Sequence, residues 1–127
     1  MTIALYCVFI AAILPYLVVQ YAKWSREYRT EGNRAPRRFA EGLSGKKQRA
    51  YWAHQNGFEA FPAFAAVVII AHVVGRAGAT IDALAVTFIA ARVLYSLFYI
   101  LDWPNSRSAA WFLGLACVLG MMGVMVF

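Results

Sequence analysis

The sequence predicts an all-α membrane protein, a single antiparallel bundle of four transmembrane helices over residues 1–127. Three observations predict it. Hydrophobic residues make up 62% of the chain and charged residues 14%, against roughly 45–50% and ~25% in soluble domains, so the composition suits lipid as the solvent. Four apolar stretches are each long enough to cross a hydrocarbon core of about 30 Å at about 1.5 Å per residue. Nine of the twelve basic residues lie in the one long connection between the first two stretches: Lys23, Arg26, Arg29, Arg34, Arg37, Arg38, Lys46, Lys47 and Arg49.

The first span, about residues 1–22, carries no charged side chain. A cleaved signal peptide would place basic residues ahead of the apolar run and small residues at its end. Here the first basic residue is Lys23, after Gln20, Tyr21 and Ala22, so the segment is expected to stay. Pro15 lies within it, a kink that neighbouring helices tolerate. The basic connection, residues 23–49, follows as a partly ordered connector. A formal net charge of +6 raises nucleic acid as a partner. The basic stretch, however, is short, contains Glu27, Glu31 and Glu41, and is bounded by apolar segments. The positive-inside rule accounts for it without nucleic acid: loop 23–49 is expected in the cytoplasm and both termini on the opposite side. Attraction to anionic lipid headgroups comes with that placement.

The second span, about 51–74, is interrupted by Glu59 and Pro62, and the third, about 81–101, holds Arg92 near its middle. The short Gly75–Thr80 connection contains two glycines, which predicts that these spans are antiparallel neighbours. Asp102 to Arg107 gives the next break, with Pro104 and Asn105 as turn-formers and Trp103 suited to an interface. The fourth span, about 108–127, is uncharged and offers Gly114, Gly120 and Gly123 for close helix approach. Cys7 and Cys117 each fall in an apolar run, where lone cysteines behave as small hydrophobes. His54 and His72 stand apart from each other and from Glu59, and no metal-ligand spacing is present.

An ionisable side chain inside a span is costly and by default marks a site or a pairing. Glu59 and Arg92 are two such groups. Trp52, Asn56 and Glu59 follow an i, i+4, i+7 spacing and share one helical face, with Arg49 one turn nearer the basic loop. Arg92, Tyr95 and Tyr99 repeat the pattern at i, i+3, i+7 on the third helix. Both faces lead toward the basic end, where Arg107 also lies. These groups can act as a structural ion pair and as hydrogen-bonding glue between helices, or as the lining of a site.

The runs that carry these residues resemble a known family. Arg49, Asn56, Glu59 and Pro62 resemble the second-helix signature of the membrane-associated proteins in eicosanoid and glutathione metabolism. Arg92, Tyr95 and Tyr99, followed by Pro104 and Arg107, resemble its third-helix run, in the family's order and inside a four-span chain of its length. The similarity covers most of the chain and is greatest to the short bacterial members, which implies the bacterial inner membrane. It implies a homotrimer with sites between neighbouring subunits, open to the cytoplasm. In catalytic relatives glutathione binds there as co-substrate and attacks a lipophilic electrophile or reduces a lipid hydroperoxide.

Carried onto matching positions, the resemblance implies that Asn56 and Glu59 hold the tripeptide's polar groups and that Arg92 organises the network. Tyr95 and Tyr99 would hydrogen-bond to the peptide, and Arg107 would stand near the sulfur as the catalytic residue. Arg49 belongs to the same binding face, and Arg26 is a contact offered to the adjacent subunit. Two positions depart from the pattern: Trp52 stands where many catalytic members carry an Arg, and Ala60 where leukotriene-forming members carry a Tyr. No metal is implied. The expected activity is therefore a glutathione-dependent transferase or peroxidase acting on lipophilic small molecules. A non-enzymatic lipid-binding or scaffolding member of the family and a small four-span transporter using Glu59 and Arg92 are the alternatives.

Overall fold

A computed structural model describes residues 1–127, and every regular element in it is helical. Helix α1 is Ile3–Lys23, and α2 (Arg26–Thr30) and α3 (Pro36–Glu41) are short helices in the basic segment, separated by a single 3-10 turn at Gly32–Arg34. The long helices α4 (Gly45–Val73), α5 (Ala79–Ile100) and α6 (Pro104–Val126) complete the chain. Helices α1, α4, α5 and α6 are each long and apolar enough to cross a membrane. Large apolar side chains such as Phe9, Ile13, Leu17, Phe112 and Leu119 are exposed on their outer faces, as a lipid-facing surface requires.

The basic connection is more helical than a connector drawn from hydropathy. Helix α4 begins at Gly45, so Lys46, Lys47 and Arg49 belong to its first turns rather than to a loop. Lys, Gln and Arg are good helix formers, so the helix continues past the apolar stretch that marks the span.

Each spanning helix buries one stripe of its surface, made largely of small residues in α1 and including Phe64 in α4 and Phe88, Arg92 and Tyr95 in α5. In α1 the stripe is Ala4, Cys7, Ala11, Pro15, Val19 and Ala22. It packs on α4 and α5, while α6 packs chiefly on α5, so α5 is the central helix and a cleft remains between α4 and α6. The main core cluster joins Ala4, Cys7 and Ala11 to Phe64, Val68, Ile81, Ala85, Phe88, Cys117 and Met121, among others. Phe64 and Phe88 stack in parallel with centroids 4.0 Å apart. All of this lies in the half of the bundle near the termini. The basic half holds only two clusters of three buried residues each. The bundle is therefore dry and close-packed at one end and polar at the other.

Specific ties fix the helices to one another. Asp82 accepts from the Ala4 N–H at 2.7 Å, supplying a carboxylate to the N-terminus of α1, where the helix dipole and unpaired N–H groups favour one. His72 donates from Nδ1 to the Val68 carbonyl, and its Nε2 meets the Thr2 hydroxyl; both contacts are 2.7 Å. At mid-depth His54 donates to the Pro15 carbonyl at 2.7 Å. Gly57 lies so close to Pro15 that an added Cβ would sit 2.8 Å from its Cγ. At the basic end Lys47 donates to the Trp24 carbonyl.

Two helices end in the same way. Gly75 N–H bonds to His72 and Arg76 N–H to Ala71 at the end of α4; Asp102 N–H bonds to Tyr99 and Trp103 N–H to Phe98 at the end of α5. Both patterns are Schellman caps, which require a left-handed residue. Gly75 takes it at φ 71° and Asp102 at φ 62°. The second cap turns the chain into α6 and so places Arg107 beside the end of α5.

Candidate functional site

The cleft between α4 and α6, floored by α5, collects the polar residues of the spans. Arg92 is 5% exposed. Its Nη2 donates to Asn56 Oδ1 at 2.8 Å, and Asn56 Nδ2 donates to Glu59 Oε2 at 2.9 Å. The link between the two charged groups thus runs through an amide, and the single Asn uses both its acceptor and its donor to make it. Glu59 is itself exposed on the isolated chain. These residues border a cavity of about 240 Å³ whose other walls include Ala63, Phe88, Gly114 and Leu115. One end of the cavity is polar and the other apolar.

One turn further toward the basic end the aromatic residues of α5 form a column. The Arg92 guanidinium lies 4.3 Å from the Tyr95 ring centroid and the Arg107 guanidinium 4.5 Å from that of Tyr99. Tyr95 and Tyr99 meet edge to face at 5.7 Å. Trp52 lies beside Tyr99, with ring centroids 6.2 Å apart and planes tilted by 45°. A second groove of about 260 Å³ is lined by Tyr95, Tyr99, Arg107, Ser108, Trp111 and Phe112. An aromatic face attracts a cation without neutralising it, so Arg107 rests on Tyr99 with its N–H donors available to an incoming anion.

The structure brings Asn56, Glu59 and Arg92 into one network and Tyr95, Tyr99 and Arg107 into an adjoining column. Arg49 is turned elsewhere: its Nε and Nη2 donate to the Ile100 carbonyl at 3.1 and 3.0 Å, tying α4 to the C-terminus of α5. Arg26 opens α2, is exposed, and borders neither cavity of the cleft. The residue that sequence reasoning passed over is Trp111, which lines both cavities. Its signal was the spacing Arg107, Trp111, Gly114, Val118 at i, i+4, i+7, i+11, one continuous face of α6.

Four spanning helices around a guanidinium–amide–carboxylate network anchored on a buried arginine, opening to a cationic aromatic groove, define a polytopic membrane protein with a polar site between its helices. A model of the MAPEG family matches residues 3–127, and the chain belongs to that family. No curated protein and no solved structure matches it.

Proposed function

We propose that the protein is a membrane-bound, glutathione-dependent transferase or peroxidase that acts on lipophilic electrophiles. The observation that carries this reading is that the two cavities adjoin at Trp111, which lines both. The groove offers cationic and phenolic donors, and the cavity adds Asn56 and Glu59, for a thiol peptide; the apolar walls of the cavity, among them Ala63, Phe88 and Leu115, are left for a lipid-soluble partner. Family membership favours glutathione as the thiol.

On this reading the Glu59 carboxylate receives the peptide's ammonium group, and Asn56, held by Arg92, fixes Glu59 in place. Tyr95 and Tyr99 hydrogen-bond to the peptide. A free thiol has a pKa of about 8.5 and is largely protonated near neutral pH. The positive charge of the Arg107 guanidinium favours the thiolate and so generates the nucleophile. The thiol proton passes to water. The sulfur then forms a bond to the electrophilic carbon while the leaving group departs with its electron pair. With a hydroperoxide, the sulfur takes the distal oxygen and releases the alcohol; a second thiol then yields the disulfide and water. Assembly as a homotrimer with the basic end in the cytoplasm would cover Glu59 and place the groove where glutathione is available.

Calorimetric titration of the purified protein with glutathione tests the binding step. Saturable binding is expected, weakened at least tenfold by Glu59→Gln; absence of saturable binding across a panel of small thiols overturns the reading. Arg107→Ala is expected to abolish the thiolate absorbance of the complex. It should also lower kcat/KM by about 100-fold or more, the size of effect seen when a single charge-stabilising donor is removed.

A further inference from the structure

We propose that the outer face of α1 binds one anionic phospholipid, its phosphate in a cationic cavity at the end of the helix and an acyl chain in the groove below. This site lies apart from the α4–α6 cleft and does not depend on the activity assigned to it.

The polar part is a cavity of about 200 Å³ lined by Gln20, Lys23, Trp24, Ser25, Tyr28 and Arg29, with no carboxylate among them. Its walls are fixed from two sides. Ser25 caps α2 by accepting from the Tyr28 N–H at 3.1 Å, and Lys47 donates to the Trp24 carbonyl. The Lys23 ammonium sits 5.5 Å from the Tyr28 ring centroid, a contact that leaves its charge free. Two cations and a side-chain amide suit a phosphate, which accepts hydrogen bonds and carries negative charge. The absence of an acidic wall gives a choline or ammonium headgroup nothing to pair with, which favours a net-anionic lipid.

The apolar part is a separate groove of about 300 Å³ formed by Tyr6, Phe9, Ile10, Ile13, Leu14 and Leu17. Tyr6, Ile10, Ile13, Leu17 and Gln20 advance by alternate steps of four and three residues, so the groove and the cavity share one face of α1. From Tyr6 to Leu17 the helix rises about 16 Å at about 1.5 Å per residue, half of a hydrocarbon core of about 30 Å. The groove is thus about as long as one leaflet is deep, and its near end, Leu17, lies about one helical turn before Gln20 at the edge of the cavity. Trp24, 78% exposed, stands at that boundary, the level at which amphipathic rings settle. Any spanning helix breaks in polarity where it leaves the membrane; what a mere lipid-facing surface does not need is the walled cavity beyond Gln20.

Native mass spectrometry of the full chain, extracted from vesicles of equal phosphatidylglycerol and phosphatidylcholine, tests the proposal. One phosphatidylglycerol per chain should be retained, at least tenfold over phosphatidylcholine. The Lys23→Gln/Arg29→Gln variant should lose most of that retention, and the single Arg29→Gln change, at an exposed position, should lose part of it with the fold untouched. Arg37→Gln/Arg38→Gln, the same charge change outside the cavity, should retain lipid as the parent does. Equal retention of both lipids, or equal loss from the two double variants, overturns the site in favour of diffuse attraction. Displacement by millimolar glycerol phosphate overturns the role of the groove. Disulfide formation between copies at Leu17→Cys, in a Cys7→Ala/Cys117→Ala background, overturns the lipid as occupant, because a second chain then covers the face.

Discussion

Asn56 joins a buried cation to an exposed carboxylate with one side chain, and the two ends of that link respond differently to substitution. Asn56→Leu leaves the Arg92 guanidinium, in a position only 5% exposed, without its acceptor. A hydrogen bond to a charged group contributes about 1.5–3 kcal/mol, so the variant should lose about that much stability, measured as a lower unfolding midpoint in detergent. Glu59→Gln keeps an oxygen to accept from the Asn56 amide and should leave the midpoint unchanged while weakening glutathione binding. Stability and binding thus separate at adjacent members of one network. At this scale the sequence was informative where polar residues stood out against an apolar helix: Asn56, Glu59, Arg92, Tyr95 and Tyr99 were visible by spacing alone. Trp111 shares a face with Arg107 by spacing but was passed over, because an aromatic residue in an apolar span offers no contrast. Arg49 shares the face of Asn56 by spacing, but periodicity fixes the direction of Cβ and not the end of a long side chain. Its guanidinium goes to a helix terminus instead.

Among the helices, the crossing of α1 and α4 depends on the absence of one methyl group. A Cβ at residue 57 would sit 2.8 Å from the ring of Pro15, and the His54 bond to the Pro15 carbonyl holds the same crossing. Gly57→Ala should therefore push α1 outward and cost about 1–3 kcal/mol, the usual effect of overpacking. It should also weaken glutathione binding, since Asn56 is the next residue on α4. The cap between α5 and α6 offers the opposite case. Asp102 holds a left-handed conformation at φ 62°, which costs an L-residue roughly 1–2 kcal/mol and glycine very little. Asp102→Gly should raise the unfolding midpoint, whereas Asp102→Val should lower it. The four spans were legible because apolar length is a direct consequence of membrane thickness. The start of α4 at Gly45 and the short helices α2 and α3 were not, because a charged amphiphilic segment reads as a loop until its packing is known.

Taken as a whole, the isolated chain exposes a carboxylate at Glu59, halfway along a spanning helix. A charge at that depth costs at least about 2.5–3.5 kcal/mol unless water or another chain covers it. The trimeric assembly proposed above would meet that requirement, and light scattering of the detergent-purified protein should then give a protein mass about three times 14.1 kDa. A monomeric mass would leave the carboxylate to be covered by water alone. The division of the bundle into a dry half and a polar half has a mechanical consequence. Near the termini the helices interlock through stacked rings, small residues and the Asp82 and His72 ties. Near the basic end they are held by a few hydrogen bonds and by rings resting on cations. Four rods clamped at one end and loosely laced at the other splay open and do not slide, and the splay is widest where Arg107 and Trp111 lie. Passage of a bulky partner between the helices then needs no lid and no hinge, only the bending of a bundle whose stiffness is concentrated away from its chemistry.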